Sequence, residues 1–198
     1  MNRPVVLLDA DGVFLRTTQP GNYLEHRYGL SAEQTAEFRK VMGNSLVGEA
    51  DLKLELPRFL KEWGIAETAE EFLDKAFGSS GEIDEAVAKV VRRLREEGIF
   101  CGLATNQDKH RMSYLDQRLA IRSYFDATFV SCELGFRKPE PDFFEAVKAA
   151  LPAGPIAFWD DRMDNIQAAK ACGWSAFLFR NAEGILADWD RQRNAQPS

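Results

Sequence analysis

The sequence is poor in cysteine and histidine. Cys101, Cys132 and Cys172 stand far apart, form no C-x-x-C pair and are odd in number. They argue against a disulfide framework and a thiolate metal knot, and predict buried free thiols in a reducing compartment. No histidine stands near a cysteine in sequence, which argues against a cysteine nucleophile. The two histidines, His26 and His110, read as surface residues of helices. No apolar run approaches the length of a bilayer span, and no basic segment followed by an apolar one opens the chain. The expectation is a cytoplasmic protein with no membrane partner. Basic residues are outnumbered, 25 to 31, for a formal net charge of −6. That balance argues against a nucleic-acid partner. It also means that an anionic ligand must be held by local donors or a metal rather than by the overall field. Internal repeats and low-complexity segments are lacking too.

What is present is an ordinary globular composition over 198 residues, 45% hydrophobic and 28% charged. That length suits one domain, or one domain with a modest insertion. A core of that size needs no disulfide or metal to fold. The first apolar stretch, Val5-Val6-Leu7-Leu8-Asp9, reads as a buried strand that ends in acid and runs into Ala10-Asp11-Gly12. Side chains two apart on an extended chain share a side, so Asp9 and Asp11 would face one pocket at the carboxyl end of the strand. Open α/β sheets bind ligands there. One reading is a nucleophile assisted by Mg²⁺ with an acid/base beside it. The other is a plain strand-to-turn exit, since Asp and Gly are turn formers.

Residues 21–78 read as short helices separated by glycine. The spacing predicts helices over about 22–28, from a Ser31/Gln34 capping box to Met42, over about 51–63, and from a Thr68/Glu71 capping box to Gly78. Pro57 should kink the third or mark its true start. From residue 82 the chain alternates. Helices are expected over about 83–97, 108–119, 139–151 and 163–172, and strands over about 99–104, 127–131, 155–159 and 175–179. A short docked helix should follow, with a frayed end at 195–198. This order predicts an α/β fold, a Rossmann-like parallel sheet flanked by helices, with a helical block inserted after the first strand.

Three further stretches carry chemistry, each with a plainer reading. Ala104-Thr105-Asn106 ends a strand before a helix, where Thr105 and Asn106 could bind an anion or merely cap the helix. Lys138, just before Pro139, sits at the positive end of the next helix dipole, so it either serves an anion or is a solvated surface lysine. Asp160 and Asp161 repel each other after an aromatic strand; a divalent cation would relieve them, or they cap the following helix. Trp63, Trp159, Trp174 and Trp189 read as core or docking residues, and Lys89, Arg92, Arg93 and Arg95 as a solvated helix face. Residues 44–49 could form a loop reaching toward the Asp9 pocket.

Taken in order, Leu8-Asp9-Ala10-Asp11-Gly12-Val13, Ala104-Thr105-Asn106, Arg137-Lys138-Pro139-Glu140-Pro141 and Trp159-Asp160-Asp161 with Asn165 resemble the motif set of the haloacid dehalogenase-like hydrolase superfamily. The resemblance runs from the first strand to about Phe179. It implies a catalytic core over 1–14 and 81–198 and a small four-helix cap over 15–80. It also implies that Asp9 attacks phosphorus and becomes an aspartyl phosphate, and that Asp11 protonates the leaving oxygen and then serves as base toward water. Thr105 and the adjacent amide of Asn106 would bind phosphoryl oxygens, and Lys138 would offset charge on the nucleophile and the transferring group. Mg²⁺ would be the cofactor, held by Asp9, by the Asp11 backbone carbonyl and by Asp161, with Asp160 supporting it through water.

Dehalogenating members usually lack an acid at the Asp11 position and lack the metal-binding acids, so the resemblance favours a phosphatase. Its substrate would be a small phosphorylated metabolite, and the protein a monomer or weak homo-oligomer. A sugar-phosphate phosphomutase is the alternative, and a non-catalytic binding or regulatory module the second alternative.

Overall fold

The computed structural model describes residues 4–16, 23–78 and 81–194. Five strands form one parallel sheet: β1 (Val5–Leu8), β4 (Phe100–Thr105), β5 (Ala127–Val130), β6 (Ile156–Asp160) and β7 (Ser175–Leu178), in the order β5-β4-β1-β6-β7. β1 is central, with Leu8 beside Leu103 of β4 and Trp159 of β6. Its side chains alternate between two cores, Val6 and Leu8 in one and Val5 and Leu7 in the other. That double burial explains the unbroken apolar run.

Helices cover both faces. α5 (Glu85–Glu96), α6 (Lys109–Leu119) and α10 (Ala182–Asn194) pack on the Val6 side, and α8 (Pro141–Ala150) and α9 (Met163–Ala171) on the Val5 side. The four-residue α7 (Ser131–Leu134) follows β5 directly. The α/β architecture expected from the sequence is the one observed. Trp159, Trp174 and Trp189 are buried, as expected of core residues. Residues 195–198 lie outside the described residues.

Between residues 16 and 82 the described chain makes four helices, α1 (Tyr23–Tyr28), α2 (Ala32–Ser45), α3 (Leu52–Glu62) and α4 (Ala69–Gly78). They bury a separate apolar cluster built on Phe38, Leu56, Phe59 and Phe72. Both capping boxes form: Ser31 with Gln34, and Thr68 with Glu71. The helices lie between β2 (Leu15–Arg16) and β3 (Glu82–Ile83), which pair antiparallel as a two-residue ribbon.

Several element bounds differ from those expected. α2 passes Gly43 and ends at Ser45; a Cβ at Gly43 would lie 3.2 Å from Arg137 Nη1, so the glycine makes room for that side chain. α3 runs through Pro57, which marks no start. Burial of Leu52, Leu56, Phe59 and Leu60, at about 1.5–3 kcal/mol each, outweighs a cost of roughly 3 kcal/mol for the proline. Residues 82–83 belong to β3, and α5 begins beyond Asp84, whose Oδ1 accepts from the Ala86 and Val87 N–H groups. α8 starts at Pro141 rather than Pro139, because Pro141 supplies the first-turn proline.

Candidate active site

The parallel sheet carries the carboxyl ends of β1, β4 and β6 to one rim. Asp9 leaves β1, Thr105 ends β4, Asp160 ends β6, and the loop before α8 brings Lys138 among them. Lys138 is 3% exposed, so the solvated-surface reading fails. Its Nζ lies 2.8 Å from Asp9 Oδ1 and 2.6 Å from Asp160 Oδ2. Asp9 Oδ1 also accepts from the Ala10 N–H at 2.7 Å. Burial pushes the Asp9 carboxyl up to about 7, repulsion by Asp160 and Asp11 adds to this, and Lys138 pulls the other way. Burial opposes the Lys138 charge, but Asp9 and Asp160 together hold the ammonium above its ordinary range.

Asp160 is wholly buried. Besides Lys138 it accepts from Asn165 Nδ2, at 3.0 and 2.9 Å on its two oxygens, and from the Arg162 N–H at 2.8 Å. Asp161 is more exposed, and burial followed by repulsion from Asp160 raises its carboxyl above the ordinary value. Carboxylate oxygens of Asp9, Asp160 and Asp161 come within 4.8 Å of one another. Gly12 makes this possible: its φ is +76°, and a Cβ there would stand 2.3 Å from Asp161 Oδ2. Asn165 Oδ1 is buried beside them with no hydrogen-bond partner. Three carboxylates against one ammonium, with a vacant carbonyl oxygen nearby, form a hard-oxygen donor set that fits a divalent cation such as Mg²⁺.

Neither Thr105 nor Asn106 caps α6. Asp108 does, accepting from the His110 and Arg111 N–H groups. The Asn106 side chain instead clamps the Lys138 backbone: Oδ1 accepts its N–H at 2.9 Å and Nδ2 donates to its carbonyl at 2.8 Å. Thr105 is 1% exposed and accepts from Gln107 Nε2 at 3.4 Å.

Two residues at this site went unnoticed in the sequence. Asp11 Oδ2 accepts from Gln107 Nε2 at 2.6 Å, and Asp11 Oδ1 accepts from Arg111 Nη2 at 2.7 Å. Gln107 lies in an unpatterned loop and Arg111 on a helix with several other basic residues, so only proximity to the Thr105 motif could have flagged them.

The helical block rests on the core beside this rim. Asn44 and Ser45 close α2, and a Cβ on Gly48 would lie 2.7 Å from the Cys132 carbonyl, so the turn after α2 meets the backbone of α7. Asp51, the N-cap of α3, accepts from Lys109 Nζ at 2.7 Å and contacts His110 Nε2 at 2.5 Å. His110 is therefore a half-buried bridge to the helical block and not the plain surface residue expected. His26 is exposed, as expected.

A five-stranded parallel sheet with an acid-rich rim at its carboxyl ends, holding a buried lysine, defines an open α/β protein with its candidate ligand site at that rim. The family follows from the match over residues 4–173 to the model of haloacid dehalogenase-like hydrolases: the chain belongs to that family. It is 34% identical over 76 residues to flavin mononucleotide hydrolase 1 of Arabidopsis thaliana, covering 37% of this chain and 31% of that protein. It is 28% identical over 156 residues to phosphoglycolate phosphatase of Salmonella typhi, covering 76% of this chain and 58% of that protein. The chain thus spans less than two thirds of either relative. Its fold is shared with a HAD family enzyme from Bacteroides thetaiotaomicron in complex with magnesium and inorganic phosphate, with a TM-score of 0.74, 18% identity, and coverage of 91% of this chain and 95% of that one. Among the described residues no helix is long and apolar enough to cross a membrane.

Proposed function

We propose that the protein is a Mg²⁺-dependent phosphatase acting on a small phosphorylated metabolite. The observation that carries this reading is the convergence of Asp9, Asp160 and Asp161 around the buried Lys138 ammonium. Three clustered carboxyl groups with one fixed cation, two of them buried, are short of positive charge. A divalent cation supplies it and favours the ionised form of Asp9. Asp9, Asp161 and the Asp11 backbone carbonyl would hold the ion, with Asp160 and Asn165 behind them. When bound, the ion screens the charge of an approaching phosphoryl group.

The chain's own residues then divide the work. Lys138 and the Ala10 N–H occupy Asp9 Oδ1, which leaves Oδ2 to attack phosphorus and form the aspartyl phosphate. The Thr105 hydroxyl and the Asn106 backbone N–H receive phosphoryl oxygens, and Lys138 offsets their developing charge. Asp11 delivers a proton to the leaving oxygen and later takes one from the attacking water. The four helices between β2 and β3 act as the cap, covering residues 15–80 over a core of 1–14 and 81–198, and the ribbon joins the two. Phosphatases among the curated relatives and a fold neighbour with magnesium and phosphate support this reading. Phosphate release from a panel of small phosphate monoesters, with Mg²⁺ and with EDTA, tests it. Release that depends on Mg²⁺ is expected. Isomerisation of a sugar phosphate without release would point to a mutase, and inactivity across the panel would overturn the reading.

A further inference from the structure

We propose that Arg111 and Gln107 are positioning residues for the Asp11 carboxylate and so set how readily a poor leaving group is expelled. The proposal rests on the phosphatase reading, in which Asp11 passes a proton to the leaving oxygen.

Arg111 lies in the first turn of α6 and reaches back to the turn after β1. Its Nη2 is 2.7 Å from Asp11 Oδ1 and its Nη1 3.4 Å from Oδ2, a two-pronged contact that fixes the plane of the carboxylate as well as its place. Gln107 Nε2 donates to the same Oδ2 at 2.6 Å and lies 3.4 Å from Thr105 Oγ1. One amide thereby ties the acid to the phosphate-side hydroxyl. Accepting from Gln107 also leaves the Thr105 hydroxyl hydrogen for another acceptor.

Gln107 is itself held firmly. It is 2% exposed, its N–H donates to Ser131 Oγ at 3.0 Å, and its carbonyl accepts from the Ser131 hydroxyl at 3.3 Å. Asp11, by contrast, keeps about a third of its side-chain surface exposed, 34%. A partly exposed carboxylate on a glycine turn has several rotamers open to it. Here it is held by a charged fork on one side and a buried amide on the other. Displacing a catalytic group by about 1 Å can cost roughly a hundredfold in rate.

The test compares leaving groups. An alkoxide needs a proton as it departs, whereas p-nitrophenolate leaves readily without one. Asp11 also serves as base in the water step common to both esters, so the quantity read is the first-turnover rate of leaving-group release: Arg111→Gln and Gln107→Leu should each lower it on glycerol phosphate by about 10- to 100-fold. On p-nitrophenyl phosphate the same variants should lose about threefold or less of this first-turnover rate, with KM little changed on either ester. Asp11→Asn should show the same selectivity more strongly, and Arg111→Lys should recover part of the alkyl-ester rate. Equal losses on both esters, or losses confined to KM, would overturn the assignment while the phosphatase reading stands. A wild-type protein inactive on both esters with Mg²⁺ would overturn both. Thermal melts identify any variant that fails to fold, and Gln107→Leu carries the comparison if Arg111→Gln does not fold.

Discussion

The Asn106 carboxamide satisfies both backbone polar groups of Lys138, accepting the N–H at 2.9 Å and donating to the carbonyl at 2.8 Å. The end of β4 thereby sets the loop that delivers the buried ammonium to Asp9 and Asp160. Asn106→Ala removes both bonds and should destabilise the fold by about 1–3 kcal/mol. It should also lower kcat more than it raises KM, because Lys138 loses its placement. Urea melts and steady-state kinetics on one ester check this; unchanged kcat would show that the clamp is not needed.

Lys138→Met leaves the buried Asp9 and Asp160 without their cation. Removing one partner from such a cluster costs about 3–5 kcal/mol. The loss should be partly restored by excess Mg²⁺, which brings positive charge back to the same carboxylates. Denaturation with Mg²⁺ and with EDTA measures it; equal loss in both conditions would contradict the placement of the ion.

Asp51 joins the helical block to α6. Burial works against its charge, but bonds from Lys109, His110 and the Lys53 N–H win, and hold its carboxyl well below the ordinary 3.8. A depressed carboxyl stabilises the folded state above 3.8 and loses that contribution as pH falls toward its folded-state value. The melting temperature of the wild type should therefore exceed that of Asp51→Asn near neutral pH, and the gap should close as pH falls below about 4. A gap independent of pH would show that the Asp51 charge does not contribute.

Much of this site was legible because each motif residue ends a parallel strand or precedes a helix. The topology must then carry Asp9, Thr105 and Asp160 to one rim. Gly12 was legible as a turn former, though its role in admitting Asp161 was not. Arg111 and Gln107 escaped because their partner Asp11 lies 100 and 96 residues away and no periodicity links them. The Asp51–His110 contact escaped for the same reason, at a separation of 59. The ribbon of β2 and β3 is two residues wide, too short for any alternating pattern to register. Helix ends moved where a cap such as Asp84, or a packed face such as that of α3, outweighed the local glycine or proline signal.

In the proposed function, everything turns on attack at phosphorus by the Asp9 carboxylate. The most direct measurement is Mg²⁺-dependent phosphate release from p-nitrophenyl phosphate by the wild type and by Asp9→Asn, with matching circular dichroism spectra. Release by the wild type is expected, with a rate about 10³-fold or more lower for the variant and its fold intact. Turnover by folded Asp9→Asn at the wild-type rate would contradict it.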